Sequence, residues 1–127
     1  MTQASQQRTP GELKQLILRI YNSVNQSVSG MGVRQQRVDL LGDSILVVAE
    51  HQRIHALAAL DDTRRQLTRE VDVALIDRYK DLLKTELETV LGVGVRTILK
   101  DYDPVTQLAC TLVVLDADPT RTVAPDR

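Results

Sequence analysis

Apolar residues fall at Leu13, Leu16, Ile17, Ile20, Tyr21, Val24 and Val28. That spacing of three and four predicts a helix with one buried stripe. The stretch Thr9-Pro10-Gly11-Glu12 precedes it. Thr9 as N-cap, Pro10 at the first helical position and Glu12 three residues after the cap form a capping-box signature. The helix is expected to end near Ser29 and Gly30. The period then shortens. Val33–Leu40 reads as a mostly polar strand, and Ser44–Glu50 as a strand that is apolar on both faces. Leu41-Gly42-Asp43 between them predicts a hairpin.

The segment His51–Leu60 fits either a short helix or the lead-in to the next one. Asp61, Asp62 and Thr63 supply N-cap chemistry for a long helix running to about Leu91. Leu67, Val71, Leu75, Tyr79, Leu82, Leu83, Leu87 and Val90 hold its period. About 28 residues at ~1.5 Å each would span about 42 Å. That exceeds the needs of a small domain, so its first turns are expected to project towards a partner. A second hairpin follows: Val95–Tyr102, a turn at Asp103–Thr106 with Pro104 in its second position, and Leu108–Asp116. Residues 1–8 and 117–127 read as flexible tails around one domain, 9–116.

The two halves echo each other. "GMGVR" begins at Gly30 and "GVGVR" at Gly92, a separation of 62 positions. At the same offset Leu75 falls on Leu13, Leu82 on Ile20 and Val90 on Val28. The fold class expected is α+β: two αββ units forming a four-stranded, largely antiparallel sheet with two main helices on one face. Phosphate-binding loops place glycines between a strand and the N-terminus of a helix. Here Gly30, Gly32, Gly92 and Gly94 follow helices and precede strands, which makes them helix stops with left-handed backbone.

The helices cover one face of such a sheet, yet its second and fourth strands are apolar on both. Antiparallel sheets with a wet face normally alternate. A homodimer is therefore expected, joined through the open sheet face, with Ile45, Val47, Leu112 and Val114 at the interface, or through the projecting helix. The alternative is that residues 51–60 fold over the open face.

Composition narrows the field. The net charge is -1 across 127 residues, so no global field recruits nucleic acid or anionic membrane. There is no Phe or Trp, only Tyr21, Tyr79 and Tyr102, which removes base-stacking platforms. No apolar run approaches the ~18 residues that span a bilayer. The N-terminus lacks an apolar signal-peptide core and Cys110 is the single cysteine, so a reducing, cytoplasmic setting is expected.

Few residues suggest chemistry. His51 and His55 are spaced i, i+4, which on a helix can hold a metal; two surface histidines in a connector are the bland reading. Asp101 and Asp103 flank a turn and fit a cation or acid–base role, although Asp before Pro needs none. Cys110 is expected to be a buried, inert thiol. No catalytic constellation, metal or cofactor is expected.

The Gly-x-Gly after the first helix, the "DSILVV" strand and "LKTELETVLGVGVRTILKDYDPVTQLACTLVVLD" resemble the small MpsC-like family of bacterial proteins. That family is described as a component of a sodium-translocating, membrane-potential-generating system. The resemblance covers roughly residues 11–116. The family's first motif is closer to Gly-Arg-Gly-Pro; here it is Gly30-Met31-Gly32-Val33. The resemblance implies an association with ion or bicarbonate transport machinery and no reaction.

The expected function is that of a non-enzymatic accessory or regulatory protein, acting by protein contact as a soluble homodimer. A small-molecule or ion sensor, with a pocket between the dimer halves or near Asp101 and Asp103, is the alternative. A metal-dependent enzyme using His51 and His55 is the third reading. Nucleic-acid binding and membrane insertion are not expected.

Overall fold

The computed structural model describes residues 8–120. The tail residues before and after that range lie outside the described residues. The element order is α1 (Pro10–Ser29), β1 (Val33–Leu41), β2 (Ser44–His51), α2 (His55–Leu60), α3 (Arg65–Leu91), β3 (Val95–Asp103) and β4 (Leu108–Leu115). The fold is α+β. Every strand pairing is antiparallel, and the sheet order is β1-β2-β4-β3. The two hairpins thus meet along β2 and β4. Both α1 and α3 pack on one side of the sheet and against each other.

Local chemistry explains the helix ends. Thr9 Oγ1 accepts from the Glu12 backbone N–H at 3.1 Å, and the Glu12 carboxylate accepts from the Thr9 N–H at 2.9 Å. Two of the free donors at the helix start are thereby satisfied. Gly30 and Gly92 close α1 and α3 in the left-handed region, at φ 72° and 69°. Of each Gly-x-Gly pair, the first glycine takes that conformation; Gly32 and Gly94 do not. A Cβ at Gly94 would meet the Asp116 carboxylate, an exposed side chain that can move aside.

α3 starts at Arg65, one to three residues later than N-caps at Asp61, Asp62 or Thr63 predict. Its N-cap is Arg64, with no side-chain cap. The correction has a tertiary cause: the Asp61 carboxylate is engaged by Arg53 and cannot cap a helix. Residues 55–60 form the separate helix α2, which packs against α3 and leaves the open sheet face bare. At ~1.5 Å per residue α3 spans about 40 Å. Before Tyr79, only Thr68 on α3 is buried, while Leu67 and Val73 are exposed. Residues 117–120, expected as part of a flexible tail, contain a turn in which the Asp118 carboxylate accepts from Thr120.

The core lies between helices and sheet. Leu13, Ile17, Ile20, Tyr21 and Val24 of α1 meet Tyr79, Leu83 and Leu87 of α3. Below them are Val38, Ile45, Val47, Ala49, Ile98, Val113 and Leu115. Ile45 and Val47 are almost wholly buried here, so their expected place at an interface is corrected. Strand side chains alternate, and these two point towards the helices. Their neighbours Leu46 and Val48 take the open face.

Candidate functional site

Two features rise above a packed domain: the open sheet face and a polar cluster beneath the helices.

Pairing registers arrange the open face as rows across the strands, in the order β1, β2, β4, β3. One row reads Asp39, Leu46, Leu112, Leu99; the next reads Arg37, Val48, Cys110, Asp101. Arg34, Glu50, Leu108 and Asp103 follow. The two central strands are mainly apolar on this face, and Leu99 and Leu108 are more than half exposed, at 57% and 51%. The β1 edge carries Arg34 and Arg37. The β3 edge carries Asp101 and Asp103. Cys110 is exposed in the middle, which corrects the expectation of a buried thiol. Alternation again decides it, because Ala109 and Thr111 take the inward positions. Of the four expected interface residues, Leu112 and Val114 lie on this face and Ile45 and Val47 do not.

The polar cluster is built by inward positions on α1, α3, β2, β3 and β4. Tyr21 belongs to the apolar stripe of α1. His51 ends β2. Lys100 follows Ile98 by two residues on β3 and therefore points to the same side. Tyr21 Oη lies 2.6 Å from His51 Nε2. Lys100 Nζ donates to Tyr21 Oη at 3.1 Å and to Thr111 Oγ1 at 3.2 Å. The ammonium also sits 4.1 Å from the centre of the Tyr79 ring. Tyr79 Oη donates to the Tyr21 carbonyl, and Tyr102 Oη donates to the His51 carbonyl. Lys100 thus lies over the Tyr21 and Tyr79 rings, which with His51 and Tyr102 hold each other by edge and tilted contacts.

Burial governs the protonation of this cluster. It lowers Lys100 from 10.5 to about 7. It lowers His51 to about 3, helped by the positive charge of Lys100. It pushes Tyr21 up to about 12 and raises Tyr79 further. With neutral His51 in its Nδ1–H tautomer, Nε2 accepts from the Tyr21 hydroxyl. The hydrogen bonds run from Lys100 through Tyr21 to His51.

Beside the cluster lies Arg53, with 6% of its side chain exposed. Its Nε and Nη2 donate to the two Asp61 oxygens at 2.9 and 2.8 Å, and its Nη1 donates to Asp72 at 2.7 Å. The bond to Asp61 first, and that to Asp72, hold the guanidinium proton well above its ordinary range. Arg53 ties the end of β2 to the α2–α3 turn and to α3. Between these groups opens a pocket of ≈ 60 Å³ whose wall includes His51, Arg53, Asp72, Tyr79, Lys100 and Tyr102. That is room for a few waters or a ligand of a few heavy atoms.

The other sequence candidates fall apart. His51 ends a strand while His55 begins α2 and is exposed, so the pair does not share one helix face. This corrects the metal reading, and the surface reading of His51 with it. Among the described residues no group of three His, Cys, Asp or Glu could hold a metal ion. Asp101 and Asp103 sit on the open face, each bonded to nearby backbone N–H groups. Asp103 shapes the turn by accepting from Val105. Among the described residues no helix is long and apolar enough to cross a membrane.

The sequence pattern places Tyr21 in the α1 stripe but assigns no chemistry to Tyr21, Arg53, Lys100 or Thr111. The signal was present in "TILKDYD": Leu99, Asp101 and Asp103 share one parity, Ile98, Lys100 and Tyr102 the other. Two aspartates mark the wet side and so place the lysine inside.

No family model, curated protein or solved structure matches the chain.

Proposed function

We propose that the protein is a non-enzymatic accessory or regulatory module that works through protein contact as a homodimer joined by its open sheet face. The observation that carries this reading is the charge layout of that face. Mainly apolar strands occupy its middle; Arg34 and Arg37 lie on the β1 edge, where Arg37 also bonds Asp39 of its own strand at 3.2 Å, and Asp101 and Asp103 lie on the β3 edge. A twofold axis lying between two copies, parallel to the strands, sets β1 of one copy over β3 of the other and keeps each row in register. Arg37 then faces the partner's Asp101, and Arg34 faces the partner's Asp103. Leu46 covers the partner's Leu112. Sheets stacked this way pack at about 30°, and twofold dimers of self-complementary patches are the commonest oligomers. The resemblance to the MpsC-like family extends the reading to a protein partner at an ion-transport system.

Solution mass and charge exchange test it. A dimer is expected at micromolar concentration. Arg37→Asp and Asp101→Arg are each expected to weaken it, and the two together to restore it. A monomeric wild type, or a dimer indifferent to Leu112→Asp, would overturn the reading. Circular dichroism separates dissociation from unfolding.

A further inference from the structure

The pocket over Lys100 lies on the helix side of the sheet, opposite the dimer face, and plays no part in that contact. Lys100 gives two donors to neutral hydroxyls, Tyr21 and Thr111. Among the described residues no carboxylate lies within ion-pairing distance of it. Removing an ammonium from water without a counter-charge is costly, and a methionine would fill the same space without that cost. Lys100 forms part of the pocket wall.

The groups around it define what could enter. Tyr21 comes from α1, His51 from β2, Tyr79 and Asp72 from α3, and Tyr102 from β3. Arg53 comes from the β2–α2 connection. His51 is neutral. Arg53 already holds Asp72 at 2.7 Å and Asp61 at 2.8 Å, so this trio is satisfied within itself. Lys100 is the cation left without a counter-ion. Val28, Ile54, Leu75 and Ile76 supply aliphatic wall.

We infer that this pocket is a binding site for a short aliphatic monocarboxylate, its carboxylate paired with Lys100 and its alkyl group against Val28, Leu75 and Ile76. The bound carboxylate completes the ion pair that the fold leaves half made, a charge-assisted hydrogen bond in a low-dielectric site. A volume of ≈ 60 Å³ excludes a large ligand, and the aliphatic wall favours an alkyl group over the fully polar surface of phosphate. Because burial keeps the free amine only partly protonated near neutral pH, the carboxylate draws a proton onto Lys100 as it binds.

The test is calorimetric titration of the full chain with propionate at about pH 8, in two buffers of different ionisation enthalpy. Propionamide and inorganic phosphate serve as comparison ligands. Propionate is expected to bind with net proton uptake, and the neutral amide and phosphate to give no saturable heat. Lys100→Met is expected to lose affinity by on the order of tenfold or more while still melting cooperatively. Lys100→Arg keeps a permanent cation, so residual binding should occur without proton uptake. Equal affinity in Lys100→Met, tighter binding of phosphate, equal binding of propionamide, or no propionate heat would each overturn the assignment. None of these outcomes depends on the oligomeric state.

Discussion

Lys100 Nζ lies 3.1 Å from Tyr21 Oη and donates to it across 79 residues of sequence. The bond joins β3 to α1 through the middle of the core. It places a cation where an aliphatic side chain would pack more cheaply. Stability should therefore carry a pH signature that belongs to this one residue.

Between about pH 7 and the ordinary lysine value of 10.5, the unfolded chain holds the proton that native Lys100 has released. The unfolded state binds more protons there, so stability rises with pH across that window. Below it the native amine is protonated and the cost of the buried charge is fully present. Lys100→Met should flatten the slope and raise stability at pH 6 by about 1 kcal/mol or more. Denaturant midpoints at several pH values between 6 and 9.5 check it. The range stays below the region where Tyr21, pushed up to about 12, adds the opposite trend.

His51 acts at the acid end. Its native pKa is lowered to about 3 from 6.5, so the unfolded chain binds the extra proton between those values. Stability is complete above pH 6.5 and falls as pH drops through the window. The loss is roughly 1.4 kcal/mol for each pH unit while this group dominates. His51→Gln should blunt that decline at the cost of a lower plateau, because the Tyr21 hydroxyl loses its short bond. Melting temperatures from pH 7 to pH 4 for both proteins give the comparison.

Arg53 is a clamp between the end of β2, the α2–α3 turn and α3. Replacing it with Met leaves Asp61 and Asp72 facing each other without a cation. Breaking a buried pair in this way costs about 3–5 kcal/mol, and partial exposure of both carboxylates lowers the expected cost to about 2–3 kcal/mol. Hydrogen exchange should show residues 55–72 opening first. Unchanged protection there would refute the clamp.

Cys110 reports on the open face without any substitution. In the proposed dimer it lies against the partner's Val48 and is shielded. Its reaction with a thiol reagent should slow as protein concentration rises. Leu112→Asp should restore a fast, concentration-independent rate. The same fast rate in the wild type at every concentration would speak against this face as the contact.

Gln107 holds a left-handed conformation at φ 64°, while its carbonyl accepts from the His51 N–H at 2.8 Å. Non-glycine residues in that region are strained by about 1 kcal/mol or more. Gln107→Gly should therefore stabilise the protein by roughly 0.5–1 kcal/mol, read as a shifted urea midpoint with an unchanged slope.

Periodicity and punctuation carried far in this chain. The α1 stripe, the Thr9–Glu12 capping box, the stops at Gly30 and Gly92 and both hairpins depend on residues close in sequence, whose propensities act locally. Asp61 shows where local chemistry loses. Its side chain suits a helix cap, but a guanidinium eight residues earlier offers it two charge-assisted bonds. Ile45 and Val47 show a second limit. A strand apolar on both faces carries no sign of which side meets the helices, and pairing to Leu40, Val38, Val113 and Thr111 decides it.

What the sequence alone determined is the set of elements, their caps and the α+β class, because each rests on interactions within a few residues. What only the tertiary structure decided is the site. Tyr21, His51, Lys100 and Thr111 come from α1, β2, β3 and β4, and no spacing relates them. Only the sheet order β1-β2-β4-β3, with α1 laid over it, brings their polar atoms together in a space from which water is largely removed. Lysine and histidine acquire their altered proton affinities there, and only there.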